Sequence, residues 1–90
     1  PMFHCNGWCF PWAVTAIGAT HVCFRRFDPA EAWRLIRERG VTHLCAAPTV
    51  LIALVNAPEA PTEPLGRPWT VATAAAPPSP TIIRQVEALG

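Results

Sequence analysis

Residues 28–49, DPAEAWRLIRERGVTHLCAAPT, read as a complete helix, a complete strand and the opening of a second helix. Asp28 stands as N-cap and Pro29 fits the first helical position, where its missing N–H is not needed. Glu31 lies at the third position, within reach of the cap's own N–H. Ala32, Trp33, Leu35 and Ile36 recur on one face and form the expected buried stripe, while Arg34, Arg37, Glu38 and Arg39 face water. Gly40 supplies the stop. The compact run Val41 to Ala46 has the length and apolar character of a strand. Pro48-Thr49 starts an uncharged helix that runs through Val55, is predicted to end before Pro58, and is expected to be buried on most sides.

Outward from this unit the same alternation repeats. Upstream, Met2-Phe3 reads as the end of a buried strand, Asn6-Gly7 as a turn, Trp8 to Gly18 as a helix with Pro11 near its first turn, and Thr20 to Phe24 as a short strand. Downstream, residues 58–68 form a proline-rich surface loop and Trp69 to Ala74 a further strand. Ser79-Pro80 then opens a last helix whose Ile82, Ile83, Val86 and Leu89 keep helical spacing. The fold class is therefore α/β, alternating strand–helix units on a mainly parallel sheet.

In such sheets ligands gather beyond the C-terminal ends of the strands. Three places qualify: His4-Cys5-Asn6-Gly7-Trp8, Ala46-Ala47-Pro48-Thr49, and Thr73-Ala74-Ala75-Ala76-Pro77-Pro78. Side chains no larger than a methyl let a flat ligand lie against the backbone and be read by its N–H and C=O groups; the same residues also suit plain packing of a strand end under a helix. The opening stretch PMFHCNGWCFPW sets proton-carrying and hydrogen-bonding groups beside large rings, the mixture of a pocket wall. Trp12, Trp33 and Trp69 read as core, Thr49 as a helix cap, and Trp8 as either pocket or core.

Composition narrows the function. Ninety residues with 51% hydrophobic content suit one domain or part of one. The net charge of +1 comes from seven Arg and six acids, with no basic run to track phosphates, so nucleic acid is not an expected partner. The uncharged window from Asn6 to Phe24 is broken by Pro11, Gly18 and polar residues, which argues against a membrane span. No basic region precedes it as in a secretory signal. The expected compartment is the cytoplasm, with the cysteines reduced. Pro1 ahead of the only Met, and Gly90 at a helix C-cap, suggest an excised fragment. Two rival classes remain: a small non-catalytic binding module, and a Cys/His metal module built on His4-Cys5, His21-x-Cys23 and His43-x-Cys45. The metal module lacks a Cys-x-x-Cys pair, and cysteine is at home in a core.

PMFHCNGWCFPWAV, THVC, DPAEAWRLIRERGVTHLCAAPTVL and VATAAAPPSP, in that order, resemble the central part of the large N-terminal domain of AMP-forming acyl-CoA synthetases of the adenylate-forming superfamily, medium- and long-chain fatty acyl-CoA ligases above all. The resemblance implies a two-step reaction in which a carboxylate attacks ATP to give an acyl-adenylate and pyrophosphate, and the thiol of coenzyme A then displaces AMP. It implies ATP, coenzyme A and Mg²⁺ as reactants and cofactors of the parent enzyme, and a carboxylic acid as substrate. It places His4 beside the reacting carboxylate, makes Trp8 similar to an aromatic gate of the acyl tunnel, and lays Ala75-Ala76-Pro77 against adenine, where many relatives carry Gly at the position of Ala75. It also implies that residues 1–90 are a partial AMP-binding domain. The lysine-bearing phosphate loop, the Tyr-Gly-x-Thr-Glu motif, the ribose-binding aspartate and the C-terminal domain with its adenylation lysine are not in these ninety residues, so the segment alone is expected to be inert.

Overall fold

The computed structural model describes residues 2–90, with side chains for all of these except residues 5 and 6. Helices α1 (Cys5–Trp8) and α2 (Phe10–Ala16) come first, followed by α3 (Pro29–Glu38), β1 (His43–Cys45), α4 (Pro48–Val55), β2 (Thr70–Ala72) and α5 (Pro80–Glu87). The class is α/β, as the sequence implies. β1 and β2 run parallel in the register His43↔Thr70, Leu44↔Val71, Cys45↔Ala72.

Helix α3 forms for the reasons its sequence gives. The Asp28 carboxylate accepts from the Glu31 N–H at 2.9 Å, Pro29 leads the helix, and Gly40 follows it at φ +61°. The reciprocal half of the capping box is not made. The Glu31 carboxylate turns instead to Arg34 and holds it through two contacts of 2.7 Å, with Arg34 also reaching Glu38. A guanidinium one turn along the helix is a charged donor, and it outcompetes a neutral backbone N–H.

The core is built on the stripe read from α3. Ala32, Trp33 and Ile36 cluster with Leu54 of α4 and Leu89 beyond α5, and Val41, Leu44, Val50, Leu65 and Trp69 pack around them. Trp33 is fully buried; its ring lies 5.9 Å from that of Trp69. The loop over residues 58–68 is tied down rather than free: the Leu65 N–H donates to the Leu89 carbonyl at 2.8 Å, Arg37 donates to the Glu59 carbonyl at 3.1 Å, and Arg67 donates to the Ile36 carbonyl.

Six expectations need correction here. Met2-Phe3 is an exposed turn, not a strand end, and residues 20–24 are irregular. A strand is held by ladder bonds to a neighbour, and among the described residues the only pairing is β1 with β2. Asn6-Gly7 lies within α1 instead of forming a turn, and the predicted helix from Trp8 to Gly18 is divided between α1 and α2. Trp12 is 67% exposed and outside the core. α4 is buried on one side only, through Leu51 and Leu54, while Ile52 faces out.

Candidate nucleotide and acyl site

The parallel register decides which candidate loops meet. Because β1 and β2 point the same way, both strands deliver their following segments to one end of the sheet. The Ala46 N–H donates to the Ala72 carbonyl at 3.0 Å and extends the ladder one step past β1. Residues 46–49 and 73–78 thus leave the sheet side by side, the position that open parallel sheets use for ligands. Ala75, Ala76 and Pro77 are exposed there.

Ala75 has φ +82° and is the one non-glycine residue with positive φ among the described residues. An L-residue avoids this region because its Cβ crowds the backbone, at a cost of roughly 1–2 kcal/mol. A glycine would sit there freely. The next element fixes the far end of the loop: the Ser79 hydroxyl accepts from the Ile82 N–H at 3.3 Å, and Pro80 leads α5. An open groove of about 440 Å³ runs beside the loop, lined mainly by apolar groups of Leu51, Trp69, Val71, Pro78, Ile82 and Val86.

Thr49 is not a cap. The N-cap of α4 is Ala47, and Thr49 sits exposed at the second helical position. The place after the first expected strand is displaced as well. His4 precedes α1 and its carbonyl accepts from the Gly7 and Trp8 N–H groups at 2.8 and 2.6 Å, so it opens a helix rather than closing a strand. The His4 ring stands 4.4 Å from that of Phe3. Trp8 is 67% exposed, so it is not core in this segment, and neither His4 nor Trp8 lines the groove beside residues 73–78. α1 and α2 pack mainly on each other.

Cys9 and Cys23 are exposed, while Cys45 at the end of β1 is half-buried, and burial pushes its thiol pKa up. The Cys5 side chain lies outside the described residues. Among those described, no three His, Cys, Asp or Glu side chains converge as a metal site, and no helix is long and apolar enough to cross a membrane.

Residues 1–90 match the family model of the AMP-binding enzymes from end to end. The chain is 47% identical over its full length to a probable peroxisomal acyl-activating enzyme of Arabidopsis thaliana, covering 16% of that protein. To a 2-methylpropanoate–CoA ligase of Humulus lupulus it is 46% identical, again over all of this chain and 16% of the relative. To a peroxisomal acetate/butyrate–CoA ligase of Arabidopsis thaliana it is 48% identical over 92% of this chain and 15% of the relative. No solved structure matches it. An α/β segment with a small-residue loop at the C-terminal end of parallel strands, matched along its whole length, belongs to the AMP-binding enzyme family. The chain spans about a sixth of the length of these relatives.

Proposed function

We propose that this chain is a central piece of the AMP-binding domain of an AMP-forming carboxylate–CoA ligase, not a complete domain, and that residues 73–78 receive the adenine of ATP. The observation that carries this reading is the pairing of Ala46 with Ala72, which sets two small-residue loops together at one end of a parallel sheet. A flat ring fits against Ala75, Ala76 and Pro77, whose side chains offer little bulk and whose backbone groups are open. His4 is assigned to the reacting carboxylate and Trp8 to the acyl chain; both are exposed and free of the core described here.

ATP supplies the adenylyl group and coenzyme A the thiol acceptor, with Mg²⁺ at the phosphates. The residues of this segment suit the adenine and not the metal, since no carboxylate lies in the 73–78 loop. No lysine is present, and no arginine lies in that loop. Neutralising the transferring phosphate is therefore the task of other parts of the enzyme, and these ninety residues alone are inactive.

The substrate class is a short monocarboxylic acid. This departs from the medium- and long-chain expectation, and it rests on relatives at 46% and 48% identity named for 2-methylpropanoate and acetate/butyrate. The expected cytoplasmic location gains no support from relatives, two of which carry a peroxisomal name. The test is to incubate the enzyme that carries this segment with ATP, coenzyme A and acids of increasing length. Acyl-CoA and AMP should form in equal amounts, fastest with short acids. Formation of ADP in place of AMP would overturn the proposal.

A further inference from the structure

We propose that the open edge of β2, together with the groove beside α5, seats a third parallel strand, formed in the intact ligase by the residues that follow Gly90. The inference rests on the reading of this chain as a central piece of a larger domain, and it concerns what covers the groove lined by Leu51, Trp69, Val71, Ile82 and Val86.

Among the described residues β2 has a strand on one side only. The Thr70 N–H donates to the Thr42 carbonyl at 2.8 Å and the Ala72 carbonyl accepts from the Ala46 N–H at 3.0 Å, so Thr70 and Ala72 turn toward β1. Alternate residues of a parallel strand serve opposite neighbours, and Val71 therefore presents its N–H and carbonyl to the far edge. Such an edge beside an apolar groove is a template for a further strand. Handedness decides the side on which that strand is added. Connections between parallel strands are right-handed in about 98% of cases, so successive crossovers that keep their helices on one face add strands in one direction. α4 and α5 pack on each other, and Leu51 of α4 and Ile82 of α5 line one groove with Val71, which puts both helices on the same face. The strand after α5 consequently falls beyond β2, on the side away from β1. Its starting point is in place as well. Residue 90 lines the groove, and a Cβ there would stand 2.8 Å from the Arg67 carbonyl and 3.6 Å from the Trp69 ring, just ahead of β2. A chain that leaves this point along the groove runs parallel to β2. The stripe of α5 also waits for a partner: Ile82 and Leu89 are buried, whereas Ile83 is 42% exposed and Val86 is half-buried. An apolar strand in the groove covers both. This chain covers 16% of its longer relatives, so most of such a protein lies outside these residues.

The experiment uses the intact ligase carrying this segment, with p-benzoylphenylalanine in place of Ile83, whose side chain is exposed at the groove. After irradiation and digestion, mass spectrometry should find a crosslink within the same chain, to one of about ten residues following Gly90, the span of a short loop and one strand. A crosslink to residues ahead of Pro1, to a distant part of the chain, or to a second copy, seen as a dimer on a denaturing gel, would overturn the proposal. Hydrogen exchange on the unaltered ligase, resolved to single amides, gives a second measure that no substitution disturbs. The Val71 N–H should exchange within about tenfold of the Thr70 N–H, since both are then strand bonds. Exchange at Val71 about a thousandfold faster than at Thr70 sinks the proposal whether or not a crosslink forms. Acid-dependent formation of AMP by the same preparation tests the ligase reading separately. AMP formation with a fast-exchanging Val71 refutes the strand alone, while a slow Val71 in a protein that forms no AMP keeps the strand and refutes the ligase.

Discussion

The indole N–H of Trp33 donates to the main-chain carbonyl of Leu54 across 2.9 Å, inside the core, and so ties α3 to the last turn of α4. Trp33 is fully buried and the same carbonyl also accepts from the Ala57 N–H at 3.2 Å. Trp33→Phe keeps most of the apolar surface and loses one bond to a carbonyl that retains a second donor. The expected loss is about 1–2 kcal/mol. Trp33→Ala should cost about 3–5 kcal/mol, since a cavity is added. Urea unfolding of the three proteins gives both differences.

Glu31 and Arg34 form an exposed pair, and the hydrogen bond from Arg34 draws the Glu31 carboxyl below its ordinary pKa. A depressed carboxylate contributes stability above its unfolded pKa of about 4.3 and loses it as pH falls through the lower folded value. Carbon-detected NMR titration should find Glu31 titrating below the ordinary glutamate value. Arg34→Met should return it to the ordinary range. A Glu31 midpoint unmoved by Arg34→Met would show that the pair has no hold on it.

Cys45 differs from Cys9 and Cys23 in burial, and burial disfavours its thiolate. At pH 8, iodoacetamide followed by peptide mass spectrometry should modify Cys9 and Cys23 ahead of Cys45, and the gap should close in denaturant. Equal rates in the folded chain would contradict the placement of β1.

Trp8 and His4 carry the proposed acyl-side roles. In the intact ligase, Trp8→Ala should change the profile of kcat/KM across acid lengths and leave the KM for ATP nearly unmoved. His4→Ala should lower adenylation for every acid alike. A Trp8→Ala enzyme that melts far below the parent and keeps its chain-length profile would assign Trp8 to packing.

The legible parts of the fold are those set by local chemistry. α3 could be read because its cap, its leading proline and its stripe lie within a dozen residues, and α4 and α5 likewise open on Pro48 and Pro80 at the positions expected. β1 and β2 are shorter than their apolar runs but fall inside them. The N-terminal stretch departs from its sequence reading because an apolar pair such as Met2-Phe3, or a run such as Thr20 to Phe24, becomes a strand only beside a partner, and sequence does not show the partner. The strain at Ala75 was hidden for a different reason. Positive φ is signalled by glycine and alanine leaves no mark of it, so the one clue was the glycine that the resembling family often carries at this position, and the backbone supplies the angle itself.

The most direct test of the ligase account is carboxylate-dependent ATP–pyrophosphate exchange by a chimera in which these ninety residues replace the matching part of the 2-methylpropanoate–CoA ligase, to which they are 46% identical. Exchange supported by 2-methylpropanoate, within about tenfold of the unaltered ligase, is the predicted result. A chimera that melts with the parent enzyme yet exchanges nothing above an acid-free blank would contradict it.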